Sequence, residues 1–262
     1  MKLLSRLLSS QKEAGVVFKW LGKDLAYADG LAIQQAHLLA HRKALATTAD
    51  KQKEVEQTVL FLEHRPVYTV GLRSDVYSLA EEERLRALGA DFHRTERGGL
   101  ITFHGPGQLV AYPMLDLGRL PGGSVGAIRW YVHQLETWIA HFCQTRYGIL
   151  AQPIPGCTGV WVPAENTKLG LWDRKIAAIG VQVKERRLTS HGVALNVCTD
   201  LSWFDQIVPC GITGKGVTSI SQEYGWKVST EDVIEEFAKA FAEVFHTHSH
   251  WSHHFPPPSP FP

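Results

Sequence analysis

The chain has 262 residues, long enough for one domain whose core stands without disulfides, and 27 basic against 26 acidic side chains leave a net charge of +1. That balance argues against broad attraction to nucleic acid, and no apolar run approaches the roughly 20 residues a membrane span needs. Four cysteines, Cys143, Cys157, Cys198 and Cys210, include no C-x-x-C pair, which fits a reducing compartment better than a disulfide framework or a zinc site.

Residues 1–17 carry Lys2, Arg6 and Lys12 with no acidic residue before Glu13, and read either as a transit segment or as a flexible end. Asp24 then caps a helix through Leu45 with Leu31, Leu38 and Leu45 as its stripe, and polar residues 47–57 read as a loop. Strands follow at 58–63 and 67–71, separated by Pro66. Ser78 and Glu81 form a capping-box pattern that opens a helix to about Leu88, after which 91–95 and 109–116 read as strands. Ser124 starts the clearest helix, with Val125, Ile128, Val132, Leu135, Ile139 and Phe142 on one face. Strands are expected at 158–162, 175–184 and 188–197, the last two joined by the charged turn Glu185-Arg186-Arg187. Ser229 caps a final helix with Val233, Phe237, Phe241 and Val244 inward. Strands and helices mix without a βαβ repeat, so the expected class is α+β, a mixed or largely antiparallel sheet flanked by helices, over a domain at 18–245. Residues 246–262 hold five histidines and five prolines, too few apolar groups to pack, and read as a disordered tail without a fixed metal geometry.

The run Arg97-Gly98-Gly99-Leu100-Ile101-Thr102-Phe103-His104-Gly105-Pro106-Gly107-Gln108 carries the most chemistry. Its glycines let a ligand approach the main chain, Pro106 stiffens the second turn, and Arg97 and His104 supply polar groups. Two tight turns of a β-meander with an incidental Arg and His would read the same way. Cys210 lies between Pro209 and Gly211, a setting that suits a nucleophile, and Cys157 in Gly156-Cys157-Thr158-Gly159 is its rival. A thiol needs a nearby cation or base for activation. Lys175 opens an apolar strand and is either paired there, partly neutral, or reaching out to solvent at the strand end.

Together with Lys175-Ile176-Ala177-Ala178-Ile179-Gly180, His191-Gly192-Val193-Ala194-Leu195-Asn196 and Pro209-Cys210-Gly211-Ile212, that run resembles the octanoyltransferase family over about residues 18–245. Val193 stands where a Leu is expected. The resemblance implies the fold shared by biotin and lipoate ligases. It also implies transfer of an octanoyl group from octanoyl-acyl carrier protein to a lysine of lipoyl domains, such as glycine-cleavage H protein and the acyltransferase subunits of 2-oxoacid dehydrogenases. Cys210 is then the nucleophile, forming a thioester, Lys175 its proton partner, and no cofactor is required. The implied substrate-binding residues are Arg97, Gly98, Gly99, Leu100, Ile101, Thr102, Phe103 and His104, then Ala178, Ile179 and Gly180, then His191, Gly192 and Val193. Without the resemblance, His104 and His191 read equally well as structural histidines. A eukaryotic member is expected in mitochondria, a bacterial one in the cytoplasm. The alternatives are an ATP-dependent lipoate or biotin ligase and a non-catalytic module that binds lipoyl domains.

Overall fold

Residues 15–46, 55–166, 172–211 and 214–252 are described by the computed structural model, the side chain of Cys210 lying outside that set. The strands are β1 (Val16–Trp20), β2 (Gln57–Leu62), β3 (Val67–Val70), β4 (Asp91–Arg94), β5 (Thr102–His104), β6 (Gln108–Met114), β7 (Gln152–Ile154), β8 (Cys157–Val162), β9 (Arg174–Lys184), β10 (Leu188–Asn196), β11 (Gly216–Val217) and β12 (Ser249–Trp251). The helices are α1 (Tyr27–Leu45), α2 (Leu79–Ala87), α3 (Ile128–Tyr147), α4 (Ile220–Tyr224) and α5 (Thr230–Phe245). Among the described residues, nine strands form one sheet in the order β12-β1-β2-β6-β10-β9-β8-β7 with β11 beside β9, and β4-β3-β5 form a second. The large sheet is antiparallel from β2 to β7 and parallel at its β12-β1-β2 edge, the mixed α+β arrangement expected.

The longest pairing, β9 with β10, is closed by Glu185 and Arg186, both at positive φ (50° and 57°), the backbone that a tight hairpin turn requires. One face of the large sheet is covered by α3 and α5. There Trp138 stacks on Phe237 with ring centroids 4.1 Å apart and donates its indole N–H to the Phe237 carbonyl at 2.7 Å. The other face carries Leu60, Leu62, Val110, Tyr112 and Ala194. The Ser229–Asp232 capping box starts α5, and the Ser78 hydroxyl accepts from Glu81 N to start α2, both as their sequences foretell.

Several expectations need correction. Helix α1 begins at Tyr27 behind Ala26, which offers no side-chain cap, while Asp24 sits at φ 59°. Its buried face is Tyr27, Gly30, Gln34 and His41 rather than the leucine stripe, because this helix covers polar groups of the sheet. Helix α3 begins at Ile128, not Ser124, and both Val125 and Ile128 are exposed; Tyr131, Trp138 and Cys143 join Leu135, Ile139 and Phe142 in its buried face. Val244 is only partly buried and Phe245 takes the inward place.

The expected ends of the domain also shift. Val16 and Val17 are already inside β1, and residues 249–251, assigned to a disordered tail, pair with β1 as β12. Tryptophan supplies the missing apolar contact: the Trp251 ring lies 5.5 Å from Phe18 and 5.6 Å from Phe61. Val16 N donates to His248 O at 2.8 Å and Ser252 N to Phe18 O at 3.0 Å. Residues 1–14 and 253–262 lie outside the described residues. Relative to a chain ending at Ser252, one ending at Phe245 loses the edge strand and its aromatic packing, of order 2 kcal/mol, and should melt about 4–8 °C lower by calorimetry. Trp251→Ala should reproduce most of that drop, and an unchanged melting temperature in both would show that β12 adds nothing to the fold.

Candidate functional site

Between α1, the small sheet and the β9–β10 hairpin lies a narrow groove of about 40 Å³, open to solvent on one side. Arg97, Gly99, Thr102 and His104 of the glycine run line it, with Ala178, Ile179 and Gly180 of β9 and His191, Gly192 and Val193 of β10. Four residues expected here point elsewhere. Strand alternation sends Ile101 and Phe103 into the small sheet's own core with Tyr68 and Phe204. Gly98 donates its N–H to Val181 O at 3.0 Å, and Leu100 packs beneath Gly211, where a Cβ would lie 2.5 Å from its Cδ1.

Arg97 is 7 % exposed, and its guanidinium donates to the carbonyls of Thr69 (2.7 Å), Gly98 (2.9 Å) and Leu100 (3.0 Å) and to the Thr69 hydroxyl (2.9 Å). It lies across Gly180, where a Cβ would come 3.0 Å from Arg97 Cδ, which is why this strand position has no side chain. At the groove's base, His104 Nδ1 faces Gln108 Oε1 at 2.7 Å. Since the Gln108 amide donates to Phe103 O and Asn196 Oδ1, its oxygen must accept, so the proton sits on His104 Nδ1. The same logic puts the His64 proton on Nδ1, facing Leu25 O at 3.0 Å, and leaves Nε2 to accept from Tyr112 Oη at 2.7 Å. Burial, assisted by His64 and Arg97, pulls His104 down to about 3; burial also pulls His64 and His191 to about 4 and pushes Tyr27 up to about 12. Every one of these rings is neutral near pH 7.

Lys175 reaches the groove side of the sheet through a β-bulge. Val160 of β8 pairs with Ala177, but the next residue, Trp161, pairs with Lys175, so Ile176 is extra. Ile176 and Ala177 both enter the helix-side core, and Lys175 is thereby turned onto the face that carries Ala178 and Gly180. Its side chain is 5 % exposed, its Nζ has no hydrogen-bond partner among the described residues, and it lies 4.6 Å from the Trp161 ring centroid. Gly159 (φ 117°) makes the space, since a Cβ there would lie 3.4 Å from Lys175 Cε and 2.7 Å from Ala177 O.

The backbone of Cys210 forms a short turn, Pro209–Gly211, held by Gly211 N donating to Val208 O at 3.0 Å and packed on Leu100, next to the lining residue Gly99. Farther on, β11 pairs with Arg174 and Lys175, and Thr218 N donates to Lys175 O at 2.9 Å. The start of β9 is fixed from below by the buried Arg174–Glu223 ion pair (2.8 Å), whose carboxylate also accepts from Thr218 Oγ1 at 2.6 Å. Of the other thiols, Cys143 is pushed up to about 12 by burial, and Cys198 is raised by burial and by Glu63. Cys157, in the β7–β8 hairpin, accepts through its carbonyl from the Trp161 indole at 3.0 Å and does not line the groove.

Tyr27, Tyr112 and Ala194 complete the lining and Trp161 flanks Lys175; Ala194 belongs to the motif that starts at His191, whereas the three aromatics lie in no recognisable motif. The result is a narrow groove whose charged lining group, Arg97, is met by main-chain carbonyls, with the Lys175 amine buried on the same face of β9, an arrangement that suits an apolar chain carrying a reactive carbonyl. Among the described residues no group of three or more His, Cys, Asp or Glu is arranged to hold a metal ion, and no helix is long and apolar enough to cross a membrane.

Residues 34–242 match the lipoyl protein ligase A/B catalytic domain. The chain is 48 % identical over 236 residues, 90 % of its length and 95 % of the relative's, to the mitochondrial octanoyl-acyl-carrier-protein:protein N-octanoyltransferase LIPT2 of Danio rerio. It is 43 % identical to the Homo sapiens protein of that name, over 84 % of this chain and 89 % of that one. An octanoyltransferase of Parabacteroides distasonis is 41 % identical over 84 % of this chain and 95 % of its own. Among solved structures, a lipoate-protein ligase A bound with ATP superposes with a TM-score of 0.61 at 15 % identity, covering 92 % of this chain and 88 % of that one. A putative lipoate protein ligase of T. acidophilum gives 0.60 at 14 % identity, with 91 % and 88 % covered. With more than half of its length inside one catalytic-domain family and full-length relatives above 40 % identity, the chain belongs to the lipoyl protein ligase A/B family and, within it, to the octanoyltransferases.

Proposed function

We propose that the chain takes an octanoyl group from octanoyl-acyl carrier protein, holds it as a thioester on Cys210, and passes it to a lysine of a lipoyl domain. The observation that carries this reading is the buried Lys175 amine, unpartnered among the described residues and turned by a bulge toward the groove beside the strand that follows the Cys210 turn. In the first half-reaction Lys175 accepts the Cys210 proton and the thiolate attacks the donor carbonyl. The new C–S bond replaces the pantetheine C–S bond, and the departing thiolate takes the proton back from Lys175. In the second, the acceptor amine attacks the octanoyl-Cys210 carbonyl, the Cys210 thiolate leaves, and Lys175 relays the amine's proton to it. The hydrocarbon lies in the slot between Gly180 and His104, whose neutral rings remove no hydration from a charge when the chain displaces water. The mitochondrial compartment named for the vertebrate relatives is part of the same reading.

Incubation with octanoyl-acyl carrier protein, without acceptor or ATP, should add one octanoyl group by intact mass, removable by hydroxylamine. Cys210→Ala should lose adduct and transfer, while Cys157→Ala keeps both. A requirement for ATP would instead favour adenylate chemistry of the ligase kind. Lys175→Ala should lower transfer by about 10²–10⁴-fold and move the pH profile of Cys210 alkylation by iodoacetamide to higher pH; an unmoved profile would break the pairing.

The neutral rings also set a pH limit. His64, His104 and His191 have folded values near 4, 3 and 4, below an unfolded value of about 6.5. Their contribution is therefore fully present above about pH 6.5 and falls below it, because the unfolded chain takes up protons that the folded one refuses. Each histidine should remove about 1.4 kcal/mol per pH unit between pH 6.5 and about 4. Denaturant midpoints at pH 7.5, 5.5 and 4.5 measure this; a flat dependence would mean that the rings are charged or solvated.

A further inference from the structure

A second cavity, of about 260 Å³, adjoins the groove at His191, between α1 and the 182–190 end of the β9–β10 hairpin. Among the described residues His191 is the one that lines both spaces. The strand register gives the groove a direction. Lys175 is at one end of β9, Gly180 pairs with Gly192 midway, and His191 pairs with Val181 just beyond. A chain whose carbonyl is at Lys175 and Cys210 therefore runs toward His191.

The way His191 is held fits a partition. Its backbone is in the left-handed region (φ 55°), and its N–H donates to Gln34 Oε1 at 2.6 Å. The ring meets Tyr112 edge to face at 6.3 Å, and its Nδ1 has no hydrogen-bond partner among the described residues, nor has Gln34 Nε2. A glycine would take this backbone without strain and keep the bond to Gln34. What a histidine adds at this position is the bulk of its ring, set between a narrow slot and a roomier cavity that Leu31 and Leu38 line from α1 and that Arg94, Glu96, Gln182 and Lys184 line with polar and charged groups.

We propose that the His191 ring is the end wall of the acyl slot and fixes the length of acyl chain the enzyme accepts, the second cavity being the room that longer chains would otherwise use. This rests on the acyl-transfer reading above and concerns its substrate class: short medium-chain acyl groups are taken and those long enough to meet the ring are refused.

The test compares octanoyl-, decanoyl-, dodecanoyl- and tetradecanoyl-acyl carrier protein as donors. Wild type should discriminate against dodecanoyl by at least about tenfold in kcat/KM, given that one or two methylenes without room cost that much. His191→Gly should raise the dodecanoyl-to-octanoyl ratio by about tenfold or more, and His191→Ala should do so to a lesser degree. Adding Leu31→Trp to His191→Gly refills the second cavity and should restore the cut-off, whereas Leu31→Trp alone should leave octanoyl transfer as it is. Calorimetric binding of free octanoate and dodecanoate reads the same length limit without turnover and serves any variant that binds but does not react. An unchanged length profile in both His191 variants, with melting temperatures near wild type, would overturn the partition. Should wild type form no octanoyl adduct while the fatty-acid binding still shifts with His191→Gly, the transfer reading fails and the partition stands.

Discussion

The buried Arg97 guanidinium is the interaction on which the site depends. A cation taken out of water is costly unless its donors are met, and here the carbonyls of Thr69, Gly98 and Leu100 meet them from two segments of chain. Those contacts lock the glycine loop to β3, while Gly98 N binds Val181 O and ties the same loop to β9. Two sheets that share no strand are thus joined along the groove. A lysine could not span these acceptors, because it offers a single ammonium in place of a planar fork. The charge acts at a distance as well: together with burial it depresses His104 and His191, so the one fixed cation helps to keep the rest of the wall neutral.

From His104 a polar chain crosses the sheet to the start of β9. His104 donates to Gln108, Gln108 to Asn196, and Asn196 Nδ2 to Thr218 O at 2.9 Å, while Thr218 N holds the Lys175 carbonyl. Each donor has an acceptor, which is the condition under which a buried network rigidifies instead of destabilising. Part of the glycine run belongs to this framework and not to the groove. Gly107 donates to Glu63 Oε2 at 2.8 Å and its carbonyl receives Val197 N, Cys198 N and Thr199 Oγ1; a Cβ there would lie 2.7 Å from Cys198 O. Glu63 in turn accepts from Thr230 Oγ1 at the start of α5, so the turn that looked built for a ligand is also a clasp between helix and sheet.

What could be read in advance follows from how local each signal is. The caps at Ser78 and Ser229 and the Glu185-Arg186 turn act within a few residues and were legible as such. Arg97, Gly180 and His191 stood out because glycine and charge in apolar strands are unusual. Tyr27 and Tyr112 carry no such mark: an aromatic in a helix or strand looks like core, and only the crossing of α1 over β6 makes both line a groove. The α1 stripe misled for a related reason, since leucines at sevenfold spacing suggest a buried face, whereas this helix buries Gln34 and His41 against polar partners. Trp251 was hidden by its polar neighbours, although one large ring between Phe18 and Phe61 suffices to fix an edge strand.

Lys175 is the residue that alternation alone would misplace. Counting by twos from Ile179 and Ala177, which pack toward α3 and α5, puts Lys175 on the helix side, where an amine would be buried among apolar groups. One extra residue, Ile176, reverses that assignment: it joins Ala177 in the core and turns Lys175 over to Trp161 and the groove. A bulge of this kind loosens a ladder locally, yet here it lies where β11, Thr218 and the Arg174–Glu223 pair grip the strand from the other edge. The same strand can therefore serve the hydrophobic core over its middle and turn the Lys175 amine toward the groove at its start, because the extra residue is absorbed at one position and the pairs on either side of it keep their partners.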